Sequence, residues 1–552
     1  MIKKIFIIIA IVIYAAQAFG QTVTADLVIT NGNIRTMDAK RTVVRSIAVL
    51  NGKIIAVGSD TDTRPLIGPK TRVIDAKGKL VLPGFNDAHV HFMVTGLQLS
   101  SVDLRDAKSP EEFVRRIKDF AAKLPKGRWI TGGSWDHENW TPNNLPTAAM
   151  IDAVTPDNPV YVRRLDGHMS LANSVAMKLA GMNRETKDVA GGMIVRDAAG
   201  NPTGIFKDAA ENYFEKIIPE PSFAEKLDIG RAATEHAASL GVTSVQDMTF
   251  GTDVGVYQEL MRRGELKTRV YDCIKLSDYK SLADLGVRHS FGDGMVRVGC
   301  LKNYADGSLG STTAWFFDPY LDDPKSTGLA GEDFARIPAD VAAADKAGLQ
   351  VMLHAIGDRA NRAILDVYET TQNVNGPSDR RFRIEHAQHL RQSEIQRFGK
   401  LKVVASMQPF HAIDDGRWAW KRLDEKRLKG TYAFRSLLDS GAVLAFGSDS
   451  PVAPLNPLIG IYAAVTRRTL DDKNPNGWIP EQKITVDEAV RAFTYGSAYA
   501  EFQENEKGTL EIGKLADLII ISDDIFTIDA TKIGTAKVLT TIIDGKVVFE
   551  AK

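Results

Sequence analysis

The chain has 552 residues, which is enough for a large core and for more than one structural unit. It contains 69 Lys and Arg residues and 69 Asp and Glu residues, so nothing in its charge favours a polyanionic partner, and no nucleic acid is expected. With 44% hydrophobic residues and 45 glycines, its composition is typical of a folded α/β protein and not of a disordered or fibrous chain.

The first twenty residues, MIKKIFIIIAIVIYAAQAFG, have the order of a secretory signal peptide. Two early lysines are followed by an apolar run of about ten residues and then by small residues at Ala16, Ala18 and Gly20. The alternative is a membrane anchor, but a spanning helix needs roughly 20 apolar residues and this run is shorter. We therefore predict a signal peptide over residues 1–20 and a periplasmic or secreted mature protein, with no membrane association after cleavage.

Short strand-like segments occupy both ends of the mature chain. Runs such as DLVITNGNIRT and SIAVLNGKIIAVG contain Asn-Gly pairs, which indicate hairpins when they separate alternating apolar runs. The pattern returns near the C-terminus as ADLIIISDD and VLTTIIDGKVVFEAK. Because neither end has enough strands to bury a face alone, we predict one small β-sandwich domain built from residues 21–83 and 505–552.

Between these ends, strand-like runs alternate with helical segments such as DRANRAILDVYETTQ, which is the pattern of parallel β-α-β units. Eight such units predict a closed (β/α)8 TIM-like barrel, and so an α/β fold, over residues 84–504. Active sites of such barrels lie at the C-terminal ends of the strands. The eight runs are the one that ends at HVH, GVTSVQDM, TRVYDCIKL, VRVGCLKNYADG, LQVMLHAIGD, FRIEHAQHL, KVVASMQPF and AVLAFGSDSP.

One part of the barrel segment is too long for a simple repeat. From about residue 109 to residue 221 the chain contains extra elements, including GRWITGGSWDHENW and NPVYVRRLDGHMSLANS, where one helical connection would suffice. We therefore predict an insertion at 109–221 that lies over the mouth of the barrel.

The chain has two cysteines, Cys273 and Cys300, and both lie in apolar strand-like runs. This placement is typical of buried core thiols. Export would make a disulfide possible if the two strands were neighbours. Both alternatives stay open.

The motif PGFNDAHVHF is the strongest chemical signal in the chain. It places His89 and His91 two residues apart, on one face of a strand, as two nitrogen ligands of one metal ion would be. Other polar residues end further barrel strands, namely Lys302, His354, His386 and Asp449. Four histidines, a carboxylate and a lysine at one mouth, with no thiolate, predict a centre for one or two divalent ions, for which zinc is well suited.

Lys302 decides which kind of centre this is. Two divalent ions about 3.5 Å apart repel by about 19 kcal/mol at an effective dielectric of about 20, so an ammonium group beside them is untenable. A neutral lysine that adds carbon dioxide becomes a carbamate, which is a bridging anion, and both burial and metal charge favour neutral lysine. A solvent-facing or phosphate-pairing lysine is the alternative. The position of Lys302 at the end of an apolar strand, before Asp306 and Gly307, favours the carbamate.

These motifs resemble those of the amidohydrolase superfamily, amidohydrolase family 3, and most closely the subfamily that includes N-substituted formamide deformylases. The resemblance covers nearly the whole mature chain and rests on PGFNDAHVHF, KNYADGSLGSTTA, HAIGDRAN, RIEHAQ, FGSDSPV and GTLEIGKLADLIII. One departure is Thr312, where relatives usually have arginine, and it makes inference about the substrate less safe. The resemblance implies a divalent-metal site, with Lys302 as the bridge if it is N-carboxylated, whose ligands are His89, His91, Lys302, His354, His386 and Asp449.

The ligand set and the resemblance predict hydrolysis of a non-peptide C–N bond in a small amide, formamide or N-acyl amine. A divalent ion would lower the pKa of a bound water to about 7 and polarise the carbonyl. Asp449 would be the catalytic residue, because it would take the proton of the attacking water and deliver it to the leaving amine. His168 in the insertion and His411 after the seventh strand are candidate substrate-binding residues. The sequence leaves open whether copies of the chain form a homo-oligomer.

Two other functions are weighed against this one. A mononuclear deaminase of the same superfamily, acting on an aminated ring, would usually have a glutamate soon after the strand 5 histidine and no strand 4 lysine. This chain instead has HAIGDRAN and Lys302. A non-catalytic binding protein would be expected if ligands had been lost, but all six are present.

Overall fold

The computed structural model describes residues 23–137, 140–164, 169–189, 192–248, 253–310, 312–331 and 333–552. The predicted signal peptide lies outside these residues. The chain forms two compact units, of which the smaller is Met93–Ala233 and the larger contains the rest of the described chain. None of the helices described in residues 23–552 is both long enough and apolar enough to cross a membrane.

Eight parallel strands in sequence order form the centre of the larger unit. They are β1 (Phe85–Val90), β2 (Val242–Asp247), β3 (Arg269–Lys275), β4 (Val296–Tyr304), β5 (Gln350–Ala355), β6 (Arg383–His386), β7 (Val404–Met407) and β8 (Leu444–Phe446). The end of β8 meets β1, because the Asp449 N–H donates to the His89 carbonyl at 2.7 Å. A Cβ at Gly447 would lie 2.4 Å from the His89 nitrogen, so glycine permits this approach. The nearly closed barrel confirms the predicted α/β fold.

The barrel strands are almost continuously buried because both faces of a parallel sheet are covered. All six residues of β5, QVMLHA, are buried. Some of their polar side chains meet inside the barrel. Arg383 on β6 donates to Gln246 on β2, a strand that is not its neighbour, and this contact crosses the interior.

Helices connect the strands of the larger unit. Proline occupies an early position of several of them, where its missing N–H costs no helical hydrogen bond. The helices of this unit are Asp60–Thr63, Val254–Arg262, Tyr279–Asp284, Ile337–Lys346, Asp358–Asn375, Gln392–Leu401, Pro409–Asp415, Glu425–Leu428, Phe434–Asp439, Pro457–Thr466, Val486–Arg491 and Ser497–Ala500.

The two ends of the mature chain form a sandwich of two sheets, as predicted. The N-terminal strand Leu80–Pro83 pairs antiparallel with the C-terminal strand Leu518–Ile521, so one sheet contains both ends of the chain. Apolar side chains from both ends, including Ile29, Val81 and Ile520, share one buried core. One sheet has the order Lys53–Gly58, Ser46–Leu50, Leu27–Thr30, Arg72–Asp75, and the other Lys546–Glu550, Val538–Ile543, Leu518–Ile521, Leu80–Pro83, Asn33–Arg35, Val43–Val44.

A disulfide joins Cys273 on β3 to Cys300 on β4. The two strands are neighbours and the two residues are register partners, with their Cα atoms 4.7 Å apart. Both side chains are fully buried. Of the two alternatives that the sequence left open, the structure therefore contains the disulfide.

We expect the Cys273→Ala/Cys300→Ala double variant to lose about 3 to 4 kcal/mol of unfolding free energy. The reason is that the disulfide constrains a loop with a sequence separation of 27 in the unfolded chain. Urea unfolding of the variant and of the oxidised wild type measures the difference. A thiol titration of unfolded, unreduced wild type should find no free thiol, and two thiols per chain would contradict the disulfide.

The smaller unit has its own sheet and core. Its aromatic core includes Phe113, Trp135 and Trp140, all of which are buried. The segment predicted as an insertion lies within this unit, while the domain boundaries proposed from the sequence stay predictions. Its strands, in sheet order, are Gly192–Arg196, Pro202–Asp208, Met169–Ala172, Tyr161–Arg164, Gly132–Trp135 and Val102–Asp103, and its helices include Pro110–Ala121, Ala148–Asp152, Ser174–Leu179 and Asn212–Glu215.

Candidate metal centre

The six predicted ligands lie at the C-terminal ends of the barrel strands. They are His89 in β1 and His91 just after it, Lys302 in β4, His354 in β5, His386 at the end of β6 and Asp449 just after β8. All except His91 are buried. Buried ionisable groups are costly unless they are paired or bind a metal, so their number here indicates a functional site.

Three of these residues already have the spacing of a metal site. One ligand atom from each of His89, His386 and Asp449 lies within 4.8 Å of the other two. The Nε2 atom of His91 is 3.3 Å from Asp449 Oδ1, and the rings of His354 and His386 are 4.5 Å apart. The histidines and the carboxylate therefore converge on one point.

Four nitrogen atoms at this point lack a hydrogen-bond partner in the described part of the chain. His89 Nε2, His354 Nδ1, His386 Nδ1 and Lys302 Nζ are all buried, and none has a hydrogen-bond partner among the described residues. An unsatisfied buried polar atom costs roughly 1 to 3 kcal/mol, and four in one place are hard to explain without a ligand. Nitrogen donors of this kind, together with a carboxylate oxygen, fit a divalent ion such as zinc.

The protonation states of His354 and His386 suit metal binding. Burial and the nearby Lys302 lower the pKa of His354 to about 3. Burial and the neighbouring histidines hold the pKa of His386 well below its ordinary value. Both rings are therefore neutral at pH 7, which is the form that binds a metal. Burial also lowers the pKa of Lys302 to about 8, so the uncharged amine is a minor form at pH 7 but far more populated than for an ordinary lysine.

Two of the candidate ligands have a left-handed backbone. The φ angle is 73° at His386 and 61° at Asp449. Residues other than glycine rarely adopt this conformation, which costs of order 1 to 3 kcal/mol where the surroundings impose it. Because both residues end barrel strands, the left-handed turn directs their side chains away from the regular strand pattern.

A buried carboxylate orients His89. Glu385 Oε2 accepts a hydrogen bond from His89 Nδ1 at 2.6 Å, which leaves Nε2 for a metal. Arg383 donates to Glu385 Oε1 at 2.8 Å and to the Ala88 carbonyl at 2.6 Å. Although burial opposes the charged form, Arg383 and His89 together lower the pKa of Glu385 to about 2, so the carboxylate stays ionised.

The segment after β4 orients His354 in a similar way. Its Nε2 donates to the Gly307 carbonyl at 3.0 Å, which leaves Nδ1 for a metal. The adjacent Asp306 accepts backbone N–H bonds from Trp315, Ile356 and Gly357 at 2.8 to 3.0 Å. The Asp-Gly pair after β4 therefore ties this segment to the end of β5.

We expect Glu385→Gln to weaken metal binding about 10- to 100-fold, because a neutral amide would hold His89 less firmly and would not raise its basicity. Competition with a chromophoric chelator measures the affinity. Glu394→Gln is the matched control, because Glu394 is also buried but pairs with Arg397 away from the site. Equal metal affinity in Glu385→Gln and the wild type would contradict this role.

The two predicted substrate-binding histidines differ in outcome. His411, on the helix Pro409–Asp415, places its Nε2 atom 3.9 Å from Asp449 Oδ2, and its ring lies parallel to that of His386. It therefore lies beside the predicted ligands. His168 is outside the described residues.

Two residues at the site, Glu385 and Tyr304, were not predicted from the sequence. The Tyr304 ring lies 4.7 Å from Lys302 Nζ and 5.1 Å from the His354 ring. A signal for Glu385 was present, because Arg383 and Glu385 are two residues apart in the strand that ends at His386 and so face the same side. Tyr304 follows Lys302 at the same two-residue spacing.

Comparisons with known proteins bear on this site. A model of the amidohydrolase family matches residues 72–549. The chain is 40% identical over 542 residues to Protein LONG AFTER FAR-RED 3 from Arabidopsis thaliana, which covers 96% of this chain and 92% of that protein. It is 27% identical over 542 residues to N-substituted formamide deformylase from Arthrobacter pascens, which covers 95% of this chain and 98% of that protein.

A solved structure agrees with the sequence comparisons. The crystal structure of an uncharacterized metal-dependent hydrolase from Pyrococcus furiosus matches with a TM-score of 0.76 and 31% identity, over 91% of this chain and 100% of that chain. The family match covers most of the chain, including every predicted ligand. The chain therefore belongs to the amidohydrolase family of metal-dependent hydrolases.

Proposed function

We propose that this chain is an exported hydrolase that cleaves the C–N bond of a small non-peptide amide, formamide or N-acyl amine. The observation that carries this proposal is the buried Lys302 Nζ, which has no hydrogen-bond partner among the described residues and whose charge acts on His89, His354 and His386. A neutral amine there can add carbon dioxide and become the bridging carboxylate of a site for two ions, most suitably zinc. The likeness to a formamide deformylase supports a C–N bond as the target.

When bound, divalent ions supply Lewis-acid chemistry that lowers the pKa of water and polarises a carbonyl. The residues that would hold them are His89, His91, Lys302, His354, His386 and Asp449. The remaining step is a proton transfer, which a side chain of the protein carries out.

Asp449 is placed to move that proton. Its Oδ1 atom is 3.4 Å from His89 Nε2 and 3.3 Å from His91 Nε2. Although burial opposes its charge, these histidines hold the pKa of Asp449 well below its usual range, so it is ionised and can accept a proton at neutral pH. It takes a proton from the water that attacks the carbonyl carbon and gives it to the nitrogen as the C–N bond breaks. The products are a carboxylic acid and an amine.

Export is part of the proposal. It is supported by the charged, apolar and small-residue order of residues 1–20, and the disulfide suits an oxidising compartment. We expect the exported protein to begin near Phe19 or Gln21. Intact-mass measurement would show this, and a mature protein that retains Met1 would contradict it.

Turnover by zinc-loaded protein tests the activity. The panel contains N-formyl amines, N-acyl amines, cyclic amides and aminated heterocycles, assayed by release of amine or ammonia. We expect hydrolysis of an N-formyl or N-acyl amine and its loss in Asp449→Asn. Release of ammonia from aminated heterocycles alone would instead support a deaminase.

A further inference from the structure

Residues 417–422, with the sequence RWAWKR, are a cationic and aromatic segment that follows the helix Pro409–Asp415. That helix carries His411, which lies beside Asp449. The segment begins six residues after His411 in the chain. Neither the proposed metal chemistry nor the proton transfer makes use of it.

One cation of this segment contacts the loop after β4. An Nη1 hydrogen of Arg422 is donated to the Thr312 hydroxyl oxygen. The next residue, Thr313, packs so closely on Gly307 that a Cβ at Gly307 would lie 2.1 Å from the Thr313 hydroxyl oxygen. Gly307 in turn accepts the hydrogen bond from His354. Thr312 is therefore next in the chain to a residue that packs on Gly307, whose carbonyl orients the candidate ligand His354.

The positive charge of Arg422 is only weakly neutralised by its surroundings. Its guanidinium lies 5.4 Å from the ring centre of Trp418, and its side chain is 20% exposed. Among the described residues, it forms an ion pair with Asp322, whose Oδ2 atom lies at a long 3.9 Å from Nε. By contrast, Arg427 nearby holds Asp424 at 2.8 Å. Arg422 is thus a partly buried cation held in place by an aromatic ring and a neutral hydroxyl.

We infer that Arg422 binds a carboxylate on the substrate, so that the hydrolase prefers amides that carry an anionic group away from the scissile bond. The inference rests on the proposed function. A guanidinium can give two parallel N–H bonds to a carboxylate, and only one N–H is used by Thr312. Trp418 restricts the position of the cation. Arg422 is therefore a specificity-determining residue, remote from the reacting atoms.

Equilibrium binding to the zinc-loaded, full-length protein tests this inference without turnover. The probes are N-benzylmethanesulfonamide and its 3- and 4-carboxybenzyl analogues, which resist hydrolysis and differ only in the carboxylate. We expect calorimetry to show about 10- to 100-fold tighter binding of a carboxylated probe, as expected for a charge-assisted hydrogen bond. If neither carboxylated probe binds more tightly than the neutral probe, the inference is overturned, whatever the result for the variants.

Arg422→Gln should remove the preference and leave affinity for the neutral probe unchanged. Arg417→Gln is the matched control, because Arg417 lies in the same segment but pairs closely with Asp414. It should keep the preference. If Arg422 only holds two loops together, Arg422→Gln would lower the affinity for the neutral and the carboxylated probes equally. This result would overturn the inference. Should Arg422→Gln not fold, Thr312→Val removes the hydroxyl acceptor, and an undiminished preference there would also count against it.

The corresponding N-benzylformamides separate this inference from the proposed function. If the wild type hydrolyses none of the formamides or other amides, the proposed function fails, but the binding ratio still reports on Arg422. If it hydrolyses neutral and carboxylated formamides with equal kcat/KM and binds the probes equally, only the inference about Arg422 fails.

Discussion

Lys302→Ala is expected to lower the metal content from about two ions per chain towards one and to reduce turnover by at least about a hundredfold. Without the bridging anion, the repulsion between two divalent ions is about 19 kcal/mol at an effective dielectric of about 20, so one ion should leave. Elemental analysis of the purified variant measures the first effect, and amine release under saturating zinc measures the second.

Two further measurements make this test specific. Short carboxylic acids such as acetate should restore part of the turnover of Lys302→Ala, because they can supply bridging oxygens. Lys507→Ala is the control, because Lys507 is also buried but pairs with Glu501 at 2.8 Å. It should lose stability and keep its metal. If Lys302→Ala keeps both its metal and its rate, the site is mononuclear or uses other residues, and the deaminase alternative gains support.

Ending the chain after Glu504 is expected to abolish stable folding although every candidate ligand remains. Loss of Leu518–Ile521 would expose the edge of Leu80–Pro83 and the apolar face of the N-terminal strands. Arg269, which is buried, would also lose Asp517, whose oxygens lie 2.6 and 2.8 Å away. An unpaired buried charge alone costs about 3 to 5 kcal/mol. Thermal unfolding and solubility of the truncated protein measure the effect.

A shorter truncation is the control. A chain that ends at Asp544 loses only the edge strand Lys546–Glu550 and keeps Asp517 and the pairing of Leu518–Ile521 with Leu80–Pro83. We expect a modest drop in melting temperature for this form. A soluble chain ending at Glu504 with an unchanged melting temperature would show that the two ends of the chain do not depend on each other.

The fold could be predicted from the sequence because its signals are local and periodic. Several barrel strands contain a short apolar run, and a polar residue such as Lys302, His354 or Asp449 lies at or just after the end of such a run. The C-terminal ends of the strands of a parallel barrel lie on one rim. Polar residues at these ends can therefore be predicted to lie close together. The paired ends of the sandwich followed from hairpin signals that occur at both termini.

The rest depends on contacts between residues far apart in the chain. Nothing in the sequence near Cys273 or Cys300 indicates that these two residues are paired across neighbouring strands. In the structure, β4 has one extra residue just before Cys300, and this irregularity places Cys300 opposite Cys273. The contact between Arg422 and Thr312 spans 110 residues and joins two loops that have no regular pattern. The left-handed backbone at His386 likewise comes from the tertiary structure, since residues other than glycine rarely adopt it.

Anomalous X-ray diffraction at the zinc edge, on crystals of the zinc-loaded protein, is the most direct test of a two-ion site that includes carboxylated Lys302. We expect two anomalous peaks within about 4 Å of each other, surrounded by the side chains of His89, His91, His354, His386 and Asp449, with electron density for a carboxylated Lys302 between them. A single peak away from Lys302, or peaks held by other residues, would contradict the account.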